Sequence, residues 1–180
     1  MNFTDDTYLA LDVPPSKWTE HISSVRRRLD AGRAALPIEV TITGSAGVGP
    51  FHEEQNQPAA FRIIDTLASE VRPIKTQFRS VDRFPVSEVF YFKPADAEPF
   101  INLQHRIIAT GLEFKPSPFS FVPHCTIASL KNNLSDEAVS EIYGLPASEE
   151  VLLEVLSFYA LNHSGCHLLH RTKLRGKQDL

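Results

Sequence analysis

The chain carries a coarse internal echo: a strand, an amphipathic helix and a second strand bearing a threonine occur around Thr7 to Thr43 and again around Val86 to Ile127. In the first copy, Thr7 to Val13 (TYLALDV) alternates and is halted by Pro14 and Pro15. Ser16 is placed to cap a helix over Lys17 to Ala31, where Trp18, Ile22, Val25 and Leu29 recur at spacings of three and four before Gly32. Pro37 to Thr43 (PIEVTIT) is β-branched and ends at Gly44, as a strand does. The second copy reads as a strand at Val86 to Phe92 and a helix at Asp96 to Leu112 with Phe100, Leu103, Ile107 and Ile108 inward. A strand at Phe121 to Leu130 (FVPHCTIASL) completes it.

Around the two copies the pattern gives a helix at Pro58 to Val71, a strand within Ile74 to Phe84 and a capped helix at Ser135 to Tyr143. Two apolar runs, Val151 to Leu161 and His167 to Leu174, flank the turn residues Asn162 to Gly165. Helices and strands mixed in this order predict an α+β fold with largely antiparallel sheets. The echo predicts two pseudo-symmetric lobes around a central cleft, within one unit spanning residues 1–180.

The 180 residues, 42% hydrophobic, suffice for one core, and a formal net charge of -4 argues against a duplex-DNA binder, which would display a basic surface. Two cysteines, no charged-then-apolar leader over Met1 to Pro14 and no apolar run near the roughly 20 residues of a bilayer span point to a cytoplasmic protein away from membranes. A monomer is expected.

The sharpest chemistry lies in Pro123-His124-Cys125-Thr126-Ile127. Strand alternation sets His124 and Thr126 on one face, with Cys125 and Ile127 turned into the core on the other. An imidazole can move a proton near neutral pH while a hydroxyl two residues along bonds a phosphate oxygen, a geometry suited to phosphodiester hydrolysis. Glu39-Val40-Thr41-Ile42 repeats the spacing, with Glu39 and Thr41 on one face and a carboxylate in the first position.

Two such strands, one per lobe, resemble the two-histidine phosphoesterases, the 2′,5′-RNA ligase-like and cyclic nucleotide phosphodiesterase family. Phe121 to Ala128 is similar to the family's second motif, Val86 to Gly111 to the strand and helix preceding it, and Val151 to Leu174 to its closing hairpin. The resemblance implies one histidine as general base, the other as general acid, two hydroxyls on the phosphate and no metal or other cofactor. It carries a catalytic role to His124 and substrate-binding roles to Thr126 and Thr41. The substrate it implies is a cyclic phosphate or 2′,5′-linkage on a small nucleotide or RNA end.

Glu39 departs from this pattern, standing where the family has its first histidine. A carboxylate about 5 Å from a phosphate monoanion is repelled by about 3 kcal/mol at an effective dielectric of 20. Glu39 is then either a working acid or base, protonated or ionised, or the mark of a decayed site that binds nucleotides or RNA ends without turnover. A structural or interaction protein, the remaining class, would have no polar cleft.

Other signals are weaker. His163, Cys166, His167 and His170 match no familiar zinc spacing and read as a solvated hairpin. Gly44, Gly47 and Gly49 read as a loop at the cleft rim, and no Lys-Ser or Lys-Thr follows to make a triphosphate-binding loop. Arg26, Arg27 and Arg28 are expected on the solvated side of their helix, and His21, His52 and His105 at the surface. Arg62, Arg79, Arg83, Lys115 and Arg171 are the basic candidates for meeting a phosphate.

Overall fold

The structure is a computed structural model that describes residues 1–85, 87–130 and 135–177. The first half holds β1 (Asp6–Asp12), α1 (Lys17–Leu29), α2 (Ala31–Ala34), β2 (Glu39–Thr41), α3 (Gln57–Glu70), β3 (Ile74–Thr76) and β4 (Phe78–Arg83). Then follow β5 (Val89–Pro94), α4 (Glu98–Ile108), β6 (Cys125–Ser129), α5 (Asp136–Tyr143), β7 (Val151–Leu153), β8 (Val155–Asn162) and β9 (Gly165–Lys173). Seven strands form one sheet in the order β4-β5-β6-β2-β1-β8-β9, while β3 and β7 pair separately. Every named pairing is antiparallel, as the mixed order of elements predicts.

The echo is visible in the sheet order. Reading outward from the β6–β2 seam gives β6, β5, β4 on one side and β2, β1, β8 on the other, so β1-α1-β2 and β5-α4-β6 are the repeated units. The seam is narrow, with the single registered pair Val40↔Cys125. Side chains directly across antiparallel strands share a face. The registers therefore line up Phe92, Cys125, Val40, Leu11 and Leu156 in one row, all fully buried.

The helices cross the seam. Helix α1, from the first unit, packs on β6 of the second, and Trp18 stacks on Phe78 at 4.9 Å between ring centroids. Helix α4, from the second unit, sends the buried Gln104 side chain to donate to the carbonyl of Ile42 (2.6 Å), just past β2. Each unit's helix thus holds the other unit's inner strand.

Several expectations are corrected. Arg26 is not solvated but 2% exposed: its Nε donates to the Ile127 carbonyl (3.1 Å) and Nη2 to that of Thr126 (2.7 Å), while Nη1 reaches those of Leu36 (2.9 Å) and Pro37 (3.1 Å). The reason is helical: Trp18, Ile22 and Arg26 lie four apart on one face, so Arg26 extends the apolar row. Arg27 and Arg28 are exposed as expected, with Arg28 paired to Glu141.

The helix expected through Ala31 stops at Leu29, because Asp30 turns the chain and caps α2, its carboxylate accepting from the Arg33 amide at 3.0 Å. Ile108, expected inward, is 40% exposed at the end of α4. The stretch Ile74 to Phe84 and the run Val151 to Leu161 each hold two strands, which lets β3 and β7 form their own sheet. The expected strand beginning at Val86 starts at Val89, and Val86 itself lies outside the described residues.

Candidate active site

The site is built on the face opposite the buried row. Along β2, Glu39, Val40, Thr41 and Ile42 alternate between half-buried and fully buried, and His124, Cys125, Thr126 and Ile127 do the same entering β6. Extending the Val40↔Cys125 pair by one residue each way sets Glu39 opposite Thr126 and Thr41 opposite His124. Directly opposed side chains in an antiparallel pair start about 5 Å apart at Cβ. All four expected site residues therefore open on one side of the seam, and each strand presents its proton-moving group across from the other's hydroxyl.

His124 lies one residue before the β6 ladder, not within it as the expected strand Phe121 to Leu130 had it. Pro123, with no amide hydrogen, cannot join the ladder there. The His124 ring is instead fixed by its own segment. Its Nδ1 lies 2.6 Å from the Val122 carbonyl, and since a carbonyl only accepts, Nδ1 carries the hydrogen and Nε2 keeps its lone pair. Phe84 and Tyr91 present themselves edgewise at 5.0 and 5.1 Å between centroids. Burial first, countered by the bond to Val122, and then the Arg33 charge hold the imidazole below its usual pKa of 6.5.

Glu39 has a different setting. Its two carboxylate oxygens both accept from the Thr41 hydroxyl at 3.0 Å. Burial pushes its pKa from 4.5 up to about 7; the Thr41 bond and the charges of Arg33 and Arg26 pull it down, and Asp12 adds a push upward. Asp12 is the β1 partner of Glu39 and binds the hydroxyls of Ser157 and Tyr159 at 2.8 Å each and the Arg171 guanidinium at 3.0 Å. A cavity of ≈ 640 Å³ lies beside this cluster, lined among others by Asp12, Pro37, Ile38, Tyr159 and Arg171.

Arg171 is thus the one basic candidate from the sequence that the sheet carries next to Glu39's neighbour. The others lie apart: Arg62 and Arg79 are exposed, Arg83 pairs with Glu88, and Lys115 pairs with Asp6 and Glu53. Asp12 and Arg33 went unread in the sequence. Asp12 has a signal, the end of a strand before Pro14 and Pro15; Arg33, in a four-residue helix, has none beyond its spacing from Asp30.

Cys125 is fully buried and burial pushes its thiol up to about 12, as strand alternation predicts for the core face. His170 leaves the hairpin surface for α3, bonding Asp65 at 2.7 Å and stacking on Phe61, while His167 meets Ser164. The glycine loop is laced to the segment before β6: the Gly47 amide donates to the Phe119 carbonyl (2.7 Å) and that of Gly49 to the Lys115 carbonyl (2.8 Å). Gly47 has φ +74°, and a Cβ there would lie 2.6 Å from Gln104 Oε1.

The fold is thus a mixed α and antiparallel β one with a paired strand seam that carries half-buried carboxyl, imidazole and hydroxyl groups. The chain belongs to the 2′-5′ RNA ligase superfamily, whose model matches residues 13–164. It is 24% identical over 143 residues, 78% of each chain, to a Geobacillus kaustophilus protein classed as a candidate phosphoesterase. Among solved structures it is similar to the TT0787 protein of Thermus thermophilus, with TM-score 0.64, 18% identity and coverage of 96% and 99% of the two chains. It is also similar to E. coli LigT complexed with 3′-AMP, with TM-score 0.57, 17% identity and coverage of 94% and 98%. At these identities the structural likeness shows the shared fold.

Proposed function

We propose that the protein is a metal-independent phosphoesterase that opens a cyclic phosphate or cleaves a 2′,5′-phosphodiester on a nucleotide or RNA end, with Glu39 standing in for the family's first histidine. The observation that carries this reading is the opposed displacement of the two proton-moving groups on one face of the seam. Glu39 is raised to about 7 while His124 is lowered from 6.5, so near neutrality a substantial share of the carboxyl still holds its proton while the imidazole is mostly neutral. That supports a reading with His124 as the base and Glu39 as the acid.

In the reaction, water attacks phosphorus and gives its proton to His124 Nε2, while the P–O bond to the leaving ribose oxygen breaks and that oxygen takes the proton of Glu39. One P–O bond forms and one breaks, and the proton gained by His124 balances the one lost by Glu39. Solvent exchange then restores both. Thr41 and Thr126 hold the non-bridging oxygens, for which Thr41 must turn from the Glu39 carboxylate it now donates to.

That same Thr41 bond favours the second reading, a nucleotide or RNA-end binding protein with impaired turnover, since the hydroxyl meant for phosphate is engaged by the carboxylate. A panel of 2′,3′-cyclic nucleotides separates the two. Turnover that rises and falls about neutral pH supports the enzyme, binding without turnover supports the binder, and neither binding nor turnover removes both.

A further inference from the structure

A phosphate seated on the seam brings a negative charge beside Glu39, which is protonated when it acts as the acid, and neither that carboxyl, the neutral His124 nor the two hydroxyls supplies a positive one. Most nearby cations are spent. Arg26 gives its guanidinium to four backbone carbonyls, Arg171 is held by Asp12, and Lys93 pairs with Asp82.

Arg33 is different. Its Nε is buried without a hydrogen-bond partner among the described residues, and its contact with Asp30 Oδ2, at 3.8 Å, is too long to be one. Asp30 is itself engaged, accepting from the amides of Arg33 (3.0 Å) and Ser129 (2.7 Å). The bond to Ser129 fixes this corner to β6 three residues beyond Thr126, while the chain runs from Arg33 into β2 at Glu39. The side chain keeps 26% of its surface exposed, so its guanidinium sits at this corner with donors unspent. Its charge reaches both groups of the pair, holding Glu39 and His124 each lower than burial alone would leave them.

We propose that Arg33 is the residue that neutralises the bound phosphate, its guanidinium meeting a non-bridging oxygen on the Glu39 side of the seam. It supplies the positive charge that an imidazolium in Glu39's place would have brought. The assignment rests on the phosphoesterase reading and adds the binding residue that reading lacks.

The test uses the full chain and its Arg33→Gln and Arg33→Lys variants, titrated calorimetrically with inorganic phosphate and assayed with 2′,3′-cyclic AMP. Thermal melting verifies that each variant is folded. Losing a charge-assisted bond weakens phosphate binding about ten- to a hundredfold in Arg33→Gln, and Arg33→Lys recovers part of it. KM rises more than kcat falls, and both limbs of the pH profile move to higher pH, because removing the cation lets the pKa of Glu39 and that of His124 rise together. Phosphate affinity in folded Arg33→Gln equal to that of the unaltered chain, or limbs that stay in place, overturns the role of Arg33 while leaving the phosphoesterase reading standing. An unaltered chain that binds no phosphate and turns over no cyclic nucleotide overturns that reading itself, and the Arg33 assignment with it.

Discussion

The two inner strands of the sheet face each other across one seam and hold their reactive groups by different means. On the β6 side the imidazole is set by a neutral frame: a carbonyl two residues back in the chain, with Phe84 and Tyr91 edgewise to it. On the β2 side the carboxyl is set by charge and hydroxyls, with Thr41 bonded to it, Asp12 beside it and Arg33 and Arg26 within electrostatic reach. An apolar surround lowers an imidazole and raises a carboxyl alike, since each then prefers its neutral form. One burial gradient therefore favours the neutral form of both proposed groups at once, and the charges tune Glu39 foremost, with Arg33 also lowering His124. Changes around Glu39 should move the pH dependence, whereas changes around His124 should mainly change the height of the profile.

The largest effect tests that division directly. His124→Ala should lower turnover by about a hundred- to ten-thousandfold at every pH, measured as kcat/KM on a cyclic nucleotide, since it removes the proposed base. Glu39→Gln should cost a comparable factor near pH 6 and also erase the alkaline limb. The sign follows from the acid role: activity is lost as pH rises through about 7 and Glu39 gives up its proton, a step Gln cannot make. If the chain is instead nearly inactive as it stands, Glu39→His should raise turnover or phosphate affinity by restoring the paired imidazoles. Turnover indifferent to both Glu39→Gln and His124→Ala would move the chemistry elsewhere in the protein.

Next in size is the clamp beneath the seam. Arg26→Met removes four charge-assisted bonds to Thr126, Ile127, Leu36 and Pro37 and should cost about 2–4 kcal/mol in a denaturant titration. Stability should also respond to Glu39 itself. Its native pKa lies above the unfolded one, so the native state binds the extra proton between about 4.5 and 7, and stability falls as pH rises through that window. Glu39→Gln should flatten this dependence, as read from melting temperature against pH. The smallest effect concerns the cysteines: a thiol reagent should modify half-buried Cys166 in the folded protein and leave Cys125 untouched until unfolding.

What the sequence made legible was periodic. The alternation through Glu39 to Ile42 and His124 to Ile127 identified the face of every candidate site residue, because strand period leaves little choice once Val40 and Cys125 go inward. The echo of strand, helix and strand gave the paired units. Two kinds of information stayed hidden. One was non-local: that α1 would cross to β6, and so bury Arg26, depends on which sheet face the helix meets, although the spacing from Trp18 and Ile22 hinted at it. The other lay in short irregular segments, such as Asp30 to Ala34, where no period operates and a single capping bond decides the path. Arg33 falls in such a segment, which is why pattern alone passed over it.

The pairing of β1 with β8 carries a consequence for how the molecule is made. Asp6 is registered with Leu161, so β1 finds its outer neighbour only after the chain through β8 has been synthesised. Until then β1 has one open edge, and the half of the sheet bearing Glu39 is unfinished even though both site strands already exist. Closing so distant a pair is slow because the loop entropy must be met before the contacts form. A nascent chain released at about residue 130 should therefore expose β1 to pairing with other molecules, and refolding of the full chain should show its aggregation-prone stage before the β8–β9 hairpin docks.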